Sequence, residues 1–460
     1  MEKEFENFEY QHIRELINRF EEVAKAGGEP YFDVEEFEEI IDYYDENRNF
    51  SFLDKALSTA NKIHPGHSYF HLKQAQRFGS SGNYRQAERI LKDILASEPH
   101  NLATLQYLAF LYSQNEKHKE SIGIQHEIIA AGGLVHEAWL NIATEYQNMG
   151  KYEIALSYLK KILKNYPGEE SAMFEVMFCY ESLNKTDEAI DFFKEFTDAH
   201  PYSAGGWFNL GIAYSTTGLF EKAIEAYDFV IAIEDHYSSA YFNKGNAYMS
   251  LEKFPEAIKC FKETFEYEPE DSITYLYIAR CYSEMSEYED AIRHYFKALE
   301  LNDRQSEAWA GIGIVYHLVG RPEKAKSYLE EALRLEPDNI DYIAGLSGVL
   351  MDMEDFEESE KLLLKLNELQ KDNVENIYFL AEVYFLSGKY GEGLELIEDA
   401  LQKFPGNISL LFKKADILRE MNMLKESKII LEKIGINSFN ELDLLIENPD
   451  KLDEFLHKNQ

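Results

Sequence analysis

Three histidines come closest to a metal-binding spacing: His64 and His67 in the run His64-Pro65-Gly66-His67, with His71 four residues beyond. His67 and His71 share one face if that stretch is helical, and two imidazoles so placed can hold a divalent ion. A closed site needs more ligands. No cysteine or carboxylate completes this set, so surface or interface histidines are the favoured reading. Carboxylates cannot signal acid–base catalysis here, because 84 Asp and Glu among 460 residues place acidic pairs everywhere. Cys179, Cys260 and Cys281 are odd in number and widely separated, which fits small buried hydrophobes in a reducing compartment better than a disulfide frame. The sequence lacks a glycine-rich phosphate loop, a nucleophile elbow and paired zinc cysteines. It predicts no catalytic residue, no cofactor and no metal: a protein that binds rather than converts.

The elements that would position a binding surface repeat. In the stretch Ala204 to Tyr237, Trp207, Leu210 and Tyr214 recur at helical spacing, and Gly218 supplies a stop. Phe220, Ala223, Ile224, Tyr227 and Val230 then set a second apolar stripe. Gly211 and Ala223 are small where two helices must approach closely. A helix pair this short cannot bury its own faces and needs copies on both sides. The copies are present. Tyr112, Tyr146, Tyr180, Tyr214, Tyr248, Tyr282 and Tyr316 follow at 34-residue steps, as do Ala155, Ala189, Ala223, Ala257, Ala291 and Ala325. Proline closes many units in phase, at Pro65, Pro99, Pro167, Pro201, Pro269, Pro337 and Pro405, because its ring cannot continue a helix.

This pattern (bulky residue, leucine, small residue and tyrosine, then alanine, aromatic and alanine, then proline) resembles the tetratricopeptide repeat family. The resemblance implies an all-α, right-handed superhelical solenoid of about twelve 34-residue helix-turn-helix units over residues 34–441. Residues 1–33 read as an N-terminal capping helix, with Phe8, Ile13, Leu16, Ile17 and Phe20 on its apolar face. Residues 442–460 read as a C-terminal cap carrying Leu452, Phe455 and Leu456 after Pro449. The first unit is the weakest, with Ile41 at a small-residue position. Met177, also at that position, predicts a wider gap between its two helices. From Ile340 the pattern decays, Ser359, Gly393 and Ser427 standing where alanine is expected.

In that family the second, fifth, sixth, ninth, twelfth and thirteenth positions of a unit face a concave groove. The fifth reads Leu140, Phe174, Phe208, Phe242 and Leu276, and the ninth reads Phe178, Ile212, Asn246 and Arg280. The sixth holds Asn141, Asn209 and Asn243, interrupted by Glu175 and Tyr277. Asparagines there can hold a peptide backbone, or can bond within the repeat. The lysine that a carboxylate-gripping subtype carries at the fifth position is absent. Acids stand at the two ends of the array: Glu35, Glu38 and Asp42 at one, Asp352, Glu382, Asp416 and Glu420 at the other.

Composition bounds the partners. A net charge of −38 disfavours nucleic acid and anionic lipid. No apolar run reaches the roughly 18 residues of a membrane span. MEKEFENFEY has neither a basic start nor an apolar segment of a secretion signal, so a cytoplasmic location is expected. The expected function is a non-catalytic scaffold whose groove binds an extended or helical protein segment with an apolar core and basic flanks. No nucleic-acid, membrane or small-molecule partner is expected. The alternative is an assembly subunit that docks through its ends or convex face while the groove stays empty.

Overall fold

Two short helices joined by a tight turn recur along the chain in a computed structural model, which describes residues 2–25, 28, 31–436, 438–446, 448, 451 and 455, without the side chains of 2–11. The described residues form 26 helices and no strand, an all-α repeat solenoid. First helices begin at Val34, Ser68, Leu102, Val135, Glu170 and Ala204, and from Ser238 to Ile408 in the same step. Second helices keep that step from Phe50 to Leu424. The chain divides into two compact units, residues 1–233 and 234–460, each built from successive helix pairs.

The turn inside each pair depends on one residue in left-handed backbone. In the first unit these are Arg48, Gly82, Glu116, Gly150, Asn184 and Gly218; in the second, Glu252, Ser286, Gly320, Glu354, Gly388 and Asn422. At Gly218 the amide donates to the Ser215 carbonyl at 3.1 Å, and the Leu219 amide reaches back to Tyr214 at 2.9 Å. These bonds satisfy carbonyls that the helix end leaves free. Glycine adopts this geometry without strain, whereas a side chain adds about 1–2 kcal/mol.

Close approach of the paired helices supplies the packing. A Cβ on Gly211 would lie 2.5 Å from the Tyr227 ring, and one on Gly245 would lie 2.6 Å from Phe261. Both rings are fully buried. Met177 takes the Gly211 position one repeat earlier and is itself buried. Its helix Glu170–Ser182 comes less close to the partner helix Thr186–Ala199 than the glycine-bearing helices do to theirs, as its size predicts. The decay expected after Ile340 is partly offset by hydrogen bonds. Ser359 Oγ donates to the Ser347 carbonyl at 3.2 Å and Ser427 Oγ to that of Ala415 at 2.7 Å. Serine thus replaces alanine with its hydroxyl satisfied across the pair.

Helices pack against the first and last repeats. Leu16, Ile17 and Phe20 of the helix Glu2–Lys25 pack on Phe37, Ile40, Ile41 and Tyr44. The Phe8 side chain lies outside the described residues. At the other end the last helix given bounds among the described residues is Phe439–Ile446, which begins before residue 442. Leu442 is fully buried there among Leu411, Phe412 and Leu431, with Phe455 against the same cluster. Pro449, Leu452 and Leu456 lie outside the described residues.

Replacing Glu252 by glycine is expected to raise stability by up to about 1 kcal/mol. Gly211→Val, which drives side-chain atoms into the Tyr227 ring, is expected to lower it by about 1–3 kcal/mol. Urea unfolding measures both. An unchanged midpoint for Gly211→Val would show that the ring is not held against this helix.

Candidate functional site

In the first unit, the positions named for a binding face separate into two groups. Phe174 and Phe178, one turn apart on the helix Glu170–Ser182, are 39% and 48% exposed. Leu140 and Ile212 are half-buried beside the same core. Phe208 is different. It is only 5% exposed, with its ring centroid 5.9 Å from Tyr227 and 5.9 Å, edge-on, from Phe174. Gly205 lets its helix approach Met173 and Gly211 lets it approach the Tyr227 ring beside Phe208, and the expected groove contact is a core residue. Asn209 is fully buried, and its Nδ2 donates to the Gly205 carbonyl at 2.8 Å. It bonds within its own helix. Asn141 is exposed.

The second unit repeats this separation. Leu276 is 4% exposed in the core around Phe261 and Tyr295, a further correction to the expected surface. Phe242 is half-buried, its ring 5.4 Å from Phe261 and 5.3 Å from Tyr277. Asn243 donates to the Ser239 carbonyl at 2.8 Å, so like Asn209 it bonds within its helix. Asn246 keeps an inaccessible Oδ1 with no hydrogen-bond partner. Arg280 is exposed, its guanidinium 5.6 Å over the Tyr277 ring.

Each unit also holds a hollow against the same positions of its first helices. One, of about 460 Å³, lies beside Lys73, Gln76, Gly79, Tyr107 and Phe110. The other, of about 570 Å³, lies beside Ala344, Gly348, Met351, Asp352 and Phe379. Four exposed side chains of this face escaped the sequence reading: Phe110, Ile314, Leu318 and Phe379. Phe110 and Ile314 share the ninth position with Phe178 and Ile212. That shared position was the available signal.

Models of the tetratricopeptide repeat match residues 140–204, 180–233, 238–271, 270–336 and 317–382, together just over half of the chain. The chain belongs to the tetratricopeptide repeat family. Among curated protein sequences no match is found. Several solved structures are similar at low identity. YrrB, described as a tetratricopeptide repeat protein with an unusual peptide-binding site, is 20% identical, with 40% of this chain and 96% of that one covered and a TM-score of 0.33. A tetratricopeptide repeat protein from Parabacteroides merdae is 15% identical over 54% and 98% of the two chains, with a TM-score of 0.43. The Cut9–Hcn1 assembly of the APC/C is 12% identical over 84% and 97%, with a TM-score of 0.40.

The acids expected to attract basic flanks are largely engaged inside this tetratricopeptide repeat protein. Asp42 pairs with Lys73 at 2.7 Å and accepts from the Tyr69 hydroxyl at 2.6 Å. Asp352 pairs with His317 at 2.6 Å. Glu420 pairs with Arg419 at 3.3 Å. Glu382 and the buried Asp416 share the buried Lys413, whose ammonium also lies 4.6 Å over the Phe385 ring. Arg419 adds a second cation to Asp416 at 3.1 Å and ties in Asp443 of the last helix. Burial pushes the Asp416 carboxyl above its ordinary range, although Lys413 and Arg419 pull the other way. Burial also opposes the Lys413 charge, but Glu382, Tyr378 and Asp416 hold its ammonium above the usual lysine range.

The groups first considered for chemistry are structural here. His64 Nε2 bonds the Phe32 carbonyl at 2.9 Å, and the His67 ring packs 4.9 Å from Phe70. No group of three or more His, Cys, Asp or Glu among the described residues could hold a metal ion. All three cysteines are buried and outside any disulfide, and burial pushes the Cys281 thiol up to about 12, far from the thiolate a nucleophile needs.

Lys413→Met leaves the partly buried Glu382 without a cation and the buried Asp416 with Arg419 alone. It is expected to cost about 3–5 kcal/mol, the usual penalty for an uncompensated buried charge. Hydrogen exchange of the helices Val374–Leu386 and Ile408–Glu420 reads this as faster opening. Adding Glu382→Gln and Asp416→Asn should recover most of the loss. If Lys413→Met alone leaves exchange unchanged, the cluster is not what holds these helices together.

Proposed function

We propose that this chain is a non-catalytic scaffold that binds an extended or helical segment of a partner protein along the first-helix face of its repeats. Family membership makes it a scaffold of the protein-interaction type, and the groove reading goes one step further. The observation that carries it is the pair Phe174 and Phe178, two large rings one helical turn apart and each more than a third exposed. Core-facing rings, such as Phe193 of the same repeat and Phe261, are fully buried. Two adjacent exposed phenylalanines need a reason beyond stability, and partner contact supplies one. The partner reads as a segment with an apolar core. Basic flanks lose much of their support, because most of the acids proposed to attract them already have internal cations.

A second reading, assembly through the ends, has an observation of its own. Ile429, Leu444 and Ile446 leave exposed apolar surface at the last repeat.

The double variant Phe174→Ser, Phe178→Ser tests the first reading. Truncating a fully buried phenylalanine costs about 3–5 kcal/mol, and these rings, already partly in water, should lose well under half of that each. The expected result is a thermal midpoint within a few degrees of the parent, together with loss of partners in affinity capture followed by mass spectrometry. A large fall in the midpoint would identify the rings as core. Unchanged capture would move the binding site elsewhere, and Ile429→Ser with Leu444→Ser then tests the ends.

A further inference from the structure

The hollow in the second unit has a shape that stability does not explain. It lies against the helix Ile340–Asp352, where Ala344 and Gly348 stand at the fifth and ninth positions. The close-packed glycines of the fold, Gly211, Gly245 and Gly313, each face a side chain that a Cβ would strike at 2.5–2.7 Å. Gly348 faces nothing within 4 Å. A glycine inside a helix costs about 0.5–1 kcal/mol relative to alanine, and here no packing partner requires it. What it does is leave the hollow open.

The lining states what could fill that space. The floor is apolar: Leu363 and Leu366 are buried beneath it, while Met351, Ile340 and Phe379 border it, the last two exposed. The charged groups at its edge are Asp341, Asp352 and Glu375, with His317 beside Asp352 at 2.6 Å. No lysine or arginine lines it. Gln370, Asn373 and Asn376 add amides on one side, of which Asn376 donates to Gln370 Oε1 at 3.0 Å. An apolar floor accepts a bulky hydrocarbon or aromatic side chain. Three carboxylates against one imidazole repel a carboxylate or phosphate and attract a cation.

We infer that this hollow, of about 570 Å³, is a specificity pocket for a bulky apolar side chain with a lysine or arginine adjacent to it in the partner segment. The inference rests on reading the first-helix face as a protein-binding surface, and it adds the chemistry of the bound segment. It also restores a basic requirement, now set locally by Asp341 and Glu375 rather than by the ends of the array.

The test is selection of a displayed random dodecapeptide library on the full chain. One selected peptide is then measured by fluorescence anisotropy against the parent and three variants. Gly348→Leu fills the hollow, Asp341→Asn with Glu375→Gln removes edge charge, and Phe174→Ser with Phe178→Ser alters the other unit. The expected result is enrichment of Phe, Leu or Trp next to Lys or Arg, with binding weakened about ten-fold or more by Gly348→Leu and by the charge pair. The thermal midpoint of Gly348→Leu should not fall, since its Cβ meets open space; if it does, Ala344→Leu serves as the blocking variant. Enrichment without basic residues, or full affinity for the blocked hollow, overturns the inference. Peptides weakened only by the phenylalanine variant would overturn it while leaving the groove reading intact. A library that yields no binder counts against both.

Discussion

Everything in this fold depends on how closely two short helices can approach. A helix of 13 or 14 residues is marginal alone, so its stability must come from the face it buries. At the centre of most pairs a small residue on the first helix receives a large one from the second, as Gly211 receives Tyr227 and Gly245 receives Phe261. The turn that makes the pair possible is equally fixed, with one left-handed residue per repeat whether or not glycine occupies it. Where glycine is missing, as at Glu116 or Ser286, the surrounding bonds impose the geometry and the chain carries the strain. A repeat array tolerates this because neighbouring interfaces share the load.

The period was legible in the sequence because it is set by packing, and packing leaves its mark at fixed spacing. The tyrosine, alanine and proline steps located the helix pairs, and Met177 correctly signalled a looser pair. The binding face was less legible. Phe174 and Phe208 occupy the same position in successive repeats, yet one is exposed and the other buried. Their neighbours differ: Gly211 lets the Tyr227 ring that flanks Phe208 come close, while the repeat of Phe174 has Met177 at that position. Position in a repeat says which way a side chain leaves the helix. It does not say how near the next helix comes, and that distance decides exposure. Asn209 and Asn243 show the same limit, since an amide at a groove position bonds its own helix when the carbonyl four residues back is the nearest acceptor.

The acidic composition also has more structure than a net charge conveys. With 84 acids and 46 lysines and arginines, cations are the scarcer partner, and several are placed to serve more than one acid. Lys73 serves Asp42 and Asp45, Lys326 serves Asp355 and Glu358, and Lys413 serves Glu382 and Asp416. Of these only the Lys413 cluster is deeply buried, and only there does removing one member leave a desolvated charge. The exposed pairs contribute little individually. What they do is decide which carboxylates remain available to a partner.

That subtraction changes where attraction for a cation can arise. Summed over the chain, negative charge is everywhere and therefore points nowhere. Counted after internal pairing, Asp341 and Glu375 remain beside an apolar floor that no lysine or arginine lines, against the helix Ile340–Asp352. The same helix carries Gly348, which forgoes helix stability without gaining a packing contact. Open space and unspent charge coincide there for different reasons, one steric and one electrostatic. A residue maintained only for packing would show neither. Selection for a fitted side chain with a neighbouring cation would produce both at once, because a ligand that fills the space brings its charge to the edge.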